Sequence, residues 1–464
     1  MKNLPKEVDL GKDPVGPLLL KLAAPAIASQ LVNALYNVVD RMYIGHIPET
    51  GAVALTGLGV CFPLIMLISA FANLVGMGGA PRASIMMGHG DEKAAERILG
   101  CCFAALLALS VALTAFSFAF MRPMLMLFGA SEATIGYATD YMEIYAAGTI
   151  FVQLTLGMNV FITAQGFSKI SMMTVVIGAV TNIVLDPIFI FIFDMGVRGA
   201  AWATVISQAI SAVWALRFLC GERAVLKLRR ANVRLSRAVL APCLALGFAP
   251  FVMQSTESLL VLSFNSSLLK YGGDIAVGAM TIASSVMQFA MLPVQGLTQG
   301  SQPIVSYNYG AGNPERMKQA FVLLLKSCLT CTAVIWTFSM LCPGIFVRIF
   351  TDDPALTEAA RRALRIYMAG MGVFGAQVAC QQTFIALGNS RTSSFLAMLR
   401  KIILLIPFIY IMPHFFDDKV FAVFFAEPVA DVLAVATTVT LFSREFRRLL
   451  RSMRERRAGQ SAGA

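Results

Sequence analysis

Acidic and amide side chains are scarce in this chain, and several of them interrupt long apolar stretches. Tyr36 and Asp40 are four residues apart, one helical turn, so both side chains fall on one helix face. Asn182 and Asp186 repeat that spacing, Pro187 follows them, and Thr204 lies in the next apolar stretch. Ionisable groups in such surroundings are costly and default to functional roles. Two carboxylates sharing a low-dielectric pocket repel, so one must hold a proton or both must hold a cation such as Na⁺. Asp40 and Asp186 are therefore candidate ligands of an ion-responsive switch, with Tyr36, Asn182 and Thr204 beside them. Pro187 lacks an amide donor and frees the carbonyl of Ile183 as a further oxygen ligand. The plain alternative is that Asn182, Asp186 and Thr204 tie helices together.

The second half offers other groups. Glu257 lies 13 residues before Lys270, roughly 20 Å deep if the segment is helical, and Gln254 is one turn away. The pair is a candidate ion or substrate site. Glu427 and Asp431 share a helix face, while Glu143 reads as a helix-surface residue. Met253, Met287, Met291 and Phe289 could line an adaptable apolar cavity suited to lipophilic cations. His46, His89 and His414 all fall outside the centres of the apolar stretches, so a histidine-based metal or acid–base site is poorly supplied. No phosphate-cradling GxxxxGK[ST] occurs. Cys328 and Cys331 form a lone CxxC inside an apolar stretch and read as core packing. No enzyme and no cofactor is expected beyond a coupling ion, H⁺ or Na⁺.

These residues must be positioned by membrane-spanning helices. Of the 464 residues, 57% are hydrophobic and 14% charged, and the mean hydropathy is +0.72. A soluble chain of that composition could not cover itself with polar surface. Twelve stretches are long enough to cross a bilayer: 18–44, 52–77, 98–121, 133–163, 170–193, 199–219, 239–269, 275–304, 319–343, 356–386, 393–413 and 420–443. The alternating period of a β-barrel is absent, leaving helices to satisfy the backbone in lipid. With the N-terminus in the cytoplasm, 28 of the 37 Lys and Arg fall inside, from Lys2 and Lys6 to the run ending at Arg457. Both termini are thus predicted cytoplasmic, in a multi-pass membrane protein. Arg400 and Lys401, early in the eleventh stretch, are assigned to the interface. The basic loop around Lys227–Arg230 reads as a topological anchor, so no nucleic acid is implied. Lys12-Asp13-Pro14 precedes a first stretch too long for a signal peptide.

The chain also repeats itself at a shift of 222 residues. Pro81, Gly88 and Gly90 fall on Pro303, Gly310 and Gly312; Tyr145 and Gly148 fall on Tyr367 and Gly370; Gly166 and Ser168 fall on Gly388 and Ser390. Each half holds six spans, so the halves share one orientation and should be related by an axis along the membrane normal, with a cavity between them. The expected organisation is an N-lobe over 1–219, a basic linker over 220–238, a C-lobe over 239–443 and a basic tail over 444–464. Topology also places Asp40, Asp186 and Thr204 at one depth, roughly 7–12 Å below the outer boundary. Three polar groups of one half at one depth read as a single site.

With these residues in hand, the chain resembles the multidrug and toxic compound extrusion (MATE) transporters, of the bacterial branch related to MepA and DinF. The resemblance covers about residues 10–445. It is carried by Leu22-Ala23-Ala24-Pro25, Tyr36-Asn37-Val38-Val39-Asp40, Gly88-His89-Gly90-Asp91, Asn182-Ile183-Val184-Leu185-Asp186-Pro187, Gly199 through Thr204, Tyr307-Asn308-Tyr309-Gly310 and Ala386-Leu387-Gly388-Asn389-Ser390. It implies twelve helices in two six-helix lobes and efflux driven by a proton or sodium gradient. It places an N-lobe ion site on Asp40, Asn182, Asp186 and Thr204 near Tyr36, matches Pro25 to a proline about which the first helix bends, and matches Glu257 to an acidic position of the seventh helix. Some members carry an Asp in the tenth helix, but Ala369–Gly388 here has no acid, which moves weight to the N-lobe. The expected function is a monomeric antiporter exporting amphipathic, often cationic drugs. A flippase for a lipid-linked precursor is the runner-up, and would be favoured by Lys or Arg lining a groove within the spans.

Overall fold

The structure is a computed structural model that describes residues 8–462, with side chains described as far as Ala458. Lys2 and Lys6, counted above for topology, lie outside the described residues. Among those described there is no strand, and the helices resolve into twelve spans. Spans 1 to 3 are Val15–Gly45, Gly51–Gly88 and Glu92–Leu127. Span 4 is two helices, Ile135–Ala147 and Thr149–Ala164, bent by 58°. Span 5 runs Ser168–Pro187 and closes with a π-helical turn, Ile188–Ile192; span 6 is Gly196–Cys220. The helical stretch Arg237–Gly310 has 74 residues, roughly 110 Å of helix. A bilayer core is about 30 Å thick, so this stretch crosses twice. Gly273, with φ 63° and ψ −162°, makes the reversal. Span 7 therefore covers 237–272 and span 8 covers 274–310. Span 9 is Pro314–Leu341, and span 10 is Pro354–Tyr367 plus Met371–Ala386, bent by 48°. Span 11 runs from Ser390 to His414 through a π-helical segment, Leu399–Leu405. Span 12 is Lys419–Ala462 and carries the basic residues 444–457 without a break.

Several repeated residues mark the points where the chain turns. Gly90 and Gly312 close spans 2 and 8 with φ of 81° and 65°; Gly166 and Gly388 do the same after spans 4 and 10, at 90° and 76°. L-side chains rarely adopt that conformation. Asp91 and Asn313, also equivalent, cap the next helices through the amides of Ala94 and Arg316. Gly148 and Gly370 sit at the two bends.

The halves meet at one end only. Two buried cores lie toward the face that carries the termini, and each mixes both halves. Leu18, Leu19 and Leu22 pack with Ile304, Phe321 and Phe442, while Leu99, Cys102 and Phe161 pack with Cys243. Toward the opposite face the cores separate. One is built entirely from residues 44–205 and the other from residues 260–430. Backbone approaches seal the shared end: a Cβ at Gly78 or Gly247 would collide with the main chain of spans 7 and 2 respectively. Span 8 meets span 1 likewise, at Gly300 against Ala23 and Gly296 against Ile27. The result is two lobes joined at the terminal face, with a cleft opening away from it.

Candidate functional site

Span 1 brings Asp40 within five residues of its end at Gly45, and spans 5 and 6 deliver Asn182, Asp186 and Thr204 to the same wall. All four are buried, Asn182 and Asp186 completely. The Asn182 amide Nδ2 donates to Asp186 Oδ1 at 3.2 Å. The carboxyl groups of Asp40 and Asp186 lie within hydrogen-bonding reach of each other. Two carboxylates can make such a contact only with a proton between them or a cation beside them. Asp40 Oδ1, Asp186 Oδ2 and Asn182 Oδ1 have no protein partner. Three buried oxygens without donors are the chemistry a proton or a hard cation would satisfy. Span 5 passes into its π-helical turn directly after Pro187, where the missing amide relaxes the helical ladder.

Tyr36 sits one turn before Asp40, near both carboxyl groups. Thr204 lies close to Tyr141, itself near Asp40. Tyr145 stacks on Tyr141 with ring centres 6.0 Å apart and lies near Ser69 of span 2. Gly148 at the bend leaves room for Val205, next to Thr204, which sets span 6 against span 4. Tyr141, Tyr145 and Ser69 escaped the sequence reading; the signal was the four-residue spacing of two tyrosines just before a repeated glycine. Glu143 is exposed, as a helix-surface residue would be.

The C half holds a second polar group that differs in kind. Lys401 Nζ donates to Glu257 Oε1 and to the Met253 carbonyl, both at 2.6 Å. Arg400 bonds Glu427 Oε1 and Asp431 Oδ1 at 2.8 Å each, with its guanidinium 4.4 Å from the Phe374 ring centre. The side chains of Arg400 and Lys401 are only 11% and 5% exposed. They are therefore inside the span, not at the interface where the sequence reading put them. Acids from distant spans meet them there, Glu427 and Asp431 of span 12 at Arg400 and Glu257 of span 7 at Lys401, which offsets the cost of burying the two cations. Glu257 is 59% exposed. Gln254, one turn away on the same face, accepts from Asn73 of span 2 at 2.6 Å and so marks the floor of the cleft.

The remaining candidates scatter. The Met253 sulfur accepts from Gln381 at 3.3 Å. Met287 and Met291 pack against the C-half core, and Phe289 is half-exposed. Pro25 lies on span 1 between Ala23 and Ile27, the two residues that touch span 8 backbone-to-backbone. Among the described residues no cluster of three or more His, Cys, Asp or Glu could hold a metal. Any cation at Asp40 and Asp186 would therefore rely on Asn182 and other neutral oxygens.

This arrangement of repeats and sites has known counterparts. The MatE family profile matches residues 25–188 and again 250–411, one match per half. The chain belongs to the MatE family. Its members are membrane transporters, not enzymes, and need no cofactor. The multidrug export protein MepA of Staphylococcus haemolyticus is 24% identical over 428 residues, covering 92% of this chain and 94% of that protein. MepA of Staphylococcus aureus strain NCTC 8325 is 24% identical over 439 residues, with 93% and 95% covered. Among solved structures, MATE in the bent conformation superposes with a TM-score of 0.89 at 22% identity, over 96% of this chain and 98% of that one. The outward-facing conformation of a multidrug resistance MATE transporter gives 0.87 at 22% identity, over 95% and 99%. At that identity the likeness shows the fold, twelve helices in two lobes.

Proposed function

We propose that this MatE protein is a secondary antiporter that exports amphipathic, often cationic drugs in exchange for H⁺ or Na⁺ bound at Asp40 and Asp186. The burial of those two neighbouring carboxyl groups, each with an oxygen that lacks a partner, carries the reading, since two ionised carboxylates together would repel unless a proton or cation joined them. The multidrug export activity named for the MepA relatives supports the substrate class. Both termini are taken as cytoplasmic on the strength of the Lys and Arg distribution, so the cleft faces outward. The outward state takes up the ion while drug leaves, and the inward state releases the ion. Span 1 repacks about Pro25 between them. The chain is taken to act as a monomer, with 1–219 and 239–443 as the moving lobes. Exchange of one proton for one monovalent cation moves no net charge, so each pH unit supplies about 1.4 kcal/mol, tenfold in concentration.

The flippase reading gains something from Arg400 and Lys401, cations now placed within a span. Three carboxylates, Glu257, Glu427 and Asp431, outnumber them. One more acid than base suits a cationic cargo better than a phosphorylated one. The test is ethidium export from proteoliposomes under an imposed pH or sodium gradient, applied separately, for wild type and Asp40→Asn. Export driven by one gradient and lost in the variant names the ion. No export under either gradient sinks the antiport reading and brings the flippase forward.

A further inference from the structure

A pocket of about 760 Å³ opens at the face opposite the termini, between the end of span 9 and the starts of spans 10 and 12. Its polar lining is Arg348, Glu358, Arg361, Arg362 and Arg365. The last four stand at helical positions i, i+3, i+4 and i+7 and so occupy one face of Pro354–Tyr367. Only nine Lys and Arg remain on this side of the membrane by the sequence count, and four of them converge here. Such a concentration runs against the charge rule that orients the chain.

Local acids do not account for it. Arg362 pairs with Asp418 at 2.9 Å, and Asp353 is committed to capping the Leu356 amide at 2.8 Å. Arg365 Nε donates to the Met340 carbonyl at 3.1 Å. Glu358 is the one acid in the pocket lining, and of the four arginines only Arg362 is ion-paired among the described residues. Arg361 Nε is buried with no partner, and its guanidinium rests against the backbone of Gly344, where a Cβ would lie 2.8 Å from Nη2. An oriented guanidinium with an unfilled donor, beside a second arginine one turn on, matches the forked recognition of a phosphate group.

A phosphate could belong to a lipid headgroup or to a free phosphate ester. The rim favours the lipid: Leu341 and Ile345 also line the pocket and are 73% and 64% exposed, positions at which acyl chains would lie. We propose that this pocket binds the phosphodiester of an anionic phospholipid from the adjoining leaflet, with Arg361 and Arg365 as principal ligands.

The test is binding to the purified full chain in detergent of three probes: dihexanoyl phosphatidylglycerol, dihexanoyl phosphatidylcholine and inorganic phosphate. The phosphatidylglycerol is expected to bind most tightly, and to weaken about tenfold per arginine removed in R361Q and R361Q/R365Q. Glu358→Gln, which removes the opposing charge, is expected to tighten it, a change that a merely damaged fold would not produce. R361K/R365K should keep the charge but lose part of the affinity with the fork. Inorganic phosphate binding as tightly as the lipid would overturn the lipid assignment. Equal binding of the phosphatidylcholine, or no loss in the double variant, would overturn the site.

Discussion

Arg400→Met tests whether the C-half charges form one compensated unit. The guanidinium holds Glu427 and Asp431 at 2.8 Å, and the three side chains are 11%, 5% and 2% exposed. Removing it leaves two carboxylates in the core with no cation within a hydrogen bond, while Glu427 Oε2 already lacks a partner. Breaking a buried pair in this way costs about 3–5 kcal/mol, whereas replacing the whole set by neutral groups is often near-neutral. For a unit the size of one half, about 2–4 °C per kcal/mol puts the drop in unfolding midpoint at roughly 6–20 °C. The assay is thermal unfolding in a single detergent, followed by loss of the monodisperse peak, for R400M, E427Q/D431N and the triple variant. The triple variant is expected to recover at least half of the loss, because it removes the stranded charges as well as their partner. A midpoint for R400M within about 2 °C of wild type would refute the reasoning. So would a triple variant no more stable than R400M.

Lys401→Met removes the ammonium from Glu257, whose carboxylate faces the cleft, and one unmasked charge should tighten tetraphenylphosphonium binding about tenfold; equal or weaker binding would show that the lysine does not screen the acid. Gly247→Val places side-chain atoms against the span 2 backbone at Leu74, an overpacking of about 1–3 kcal/mol that should loosen the sealed end. Alkylation of Cys243 by a membrane-permeant maleimide is then expected to rise severalfold, and an unchanged rate would mean that the seal does not depend on this crossing.

How much of the site was legible depends on which contacts are local. Tyr36 with Asp40, and Asn182 with Asp186, declare themselves by four-residue spacing. Their meeting across two spans followed from counting depth from helix ends, which needs only topology. The Glu257–Lys401 pair was not legible, because it joins residues 144 positions apart and no periodicity links spans 7 and 11. The placement of Arg400 and Lys401 failed because their partners, Glu427, Asp431 and Glu257, lie 27, 31 and 144 positions away and leave no local signal in span 11. The repeat was legible because turn chemistry is unforgiving. Gly90, Gly166, Gly312 and Gly388 all need positive φ, so both halves kept them while apolar residues drifted. Some span ends were read short, as with 98–121 against Glu92–Leu127, because charged first and last turns lie beyond the apolar stretch and are still helical.

The two halves share a fold but solve burial of charge in opposite ways, and that difference bears on coupling. In the C half, Arg400 and Lys401 are built into the chain, so its charge is largely compensated in every state. The N half places Asp40 and Asp186 together, and the cation near them, Arg41, turns its guanidinium to Phe62 at 5.2 Å. Asp186 is fully buried and Asp40 nearly so even with the cleft open, so two ionised carboxylates there already cost several kcal/mol for each ion, and closing the cleft would remove the little solvent that still reaches Asp40. Ion or proton uptake would remove that cost, which makes an empty carrier reluctant to close and so limits leak. Asp40→Asn with Asp186→Asn imitates the neutral pair permanently and should close more readily. Met66 gives the readout, since its sulfur lies beside Gln254 at the cleft floor. In a Met66→Cys background freed of the exposed Cys220 and Cys342, labelling by a charged methanethiosulfonate added from the cleft side is expected to fall at least tenfold in the double variant. Labelling that stayed level or rose would show that charge on this pair does not hold the cleft open.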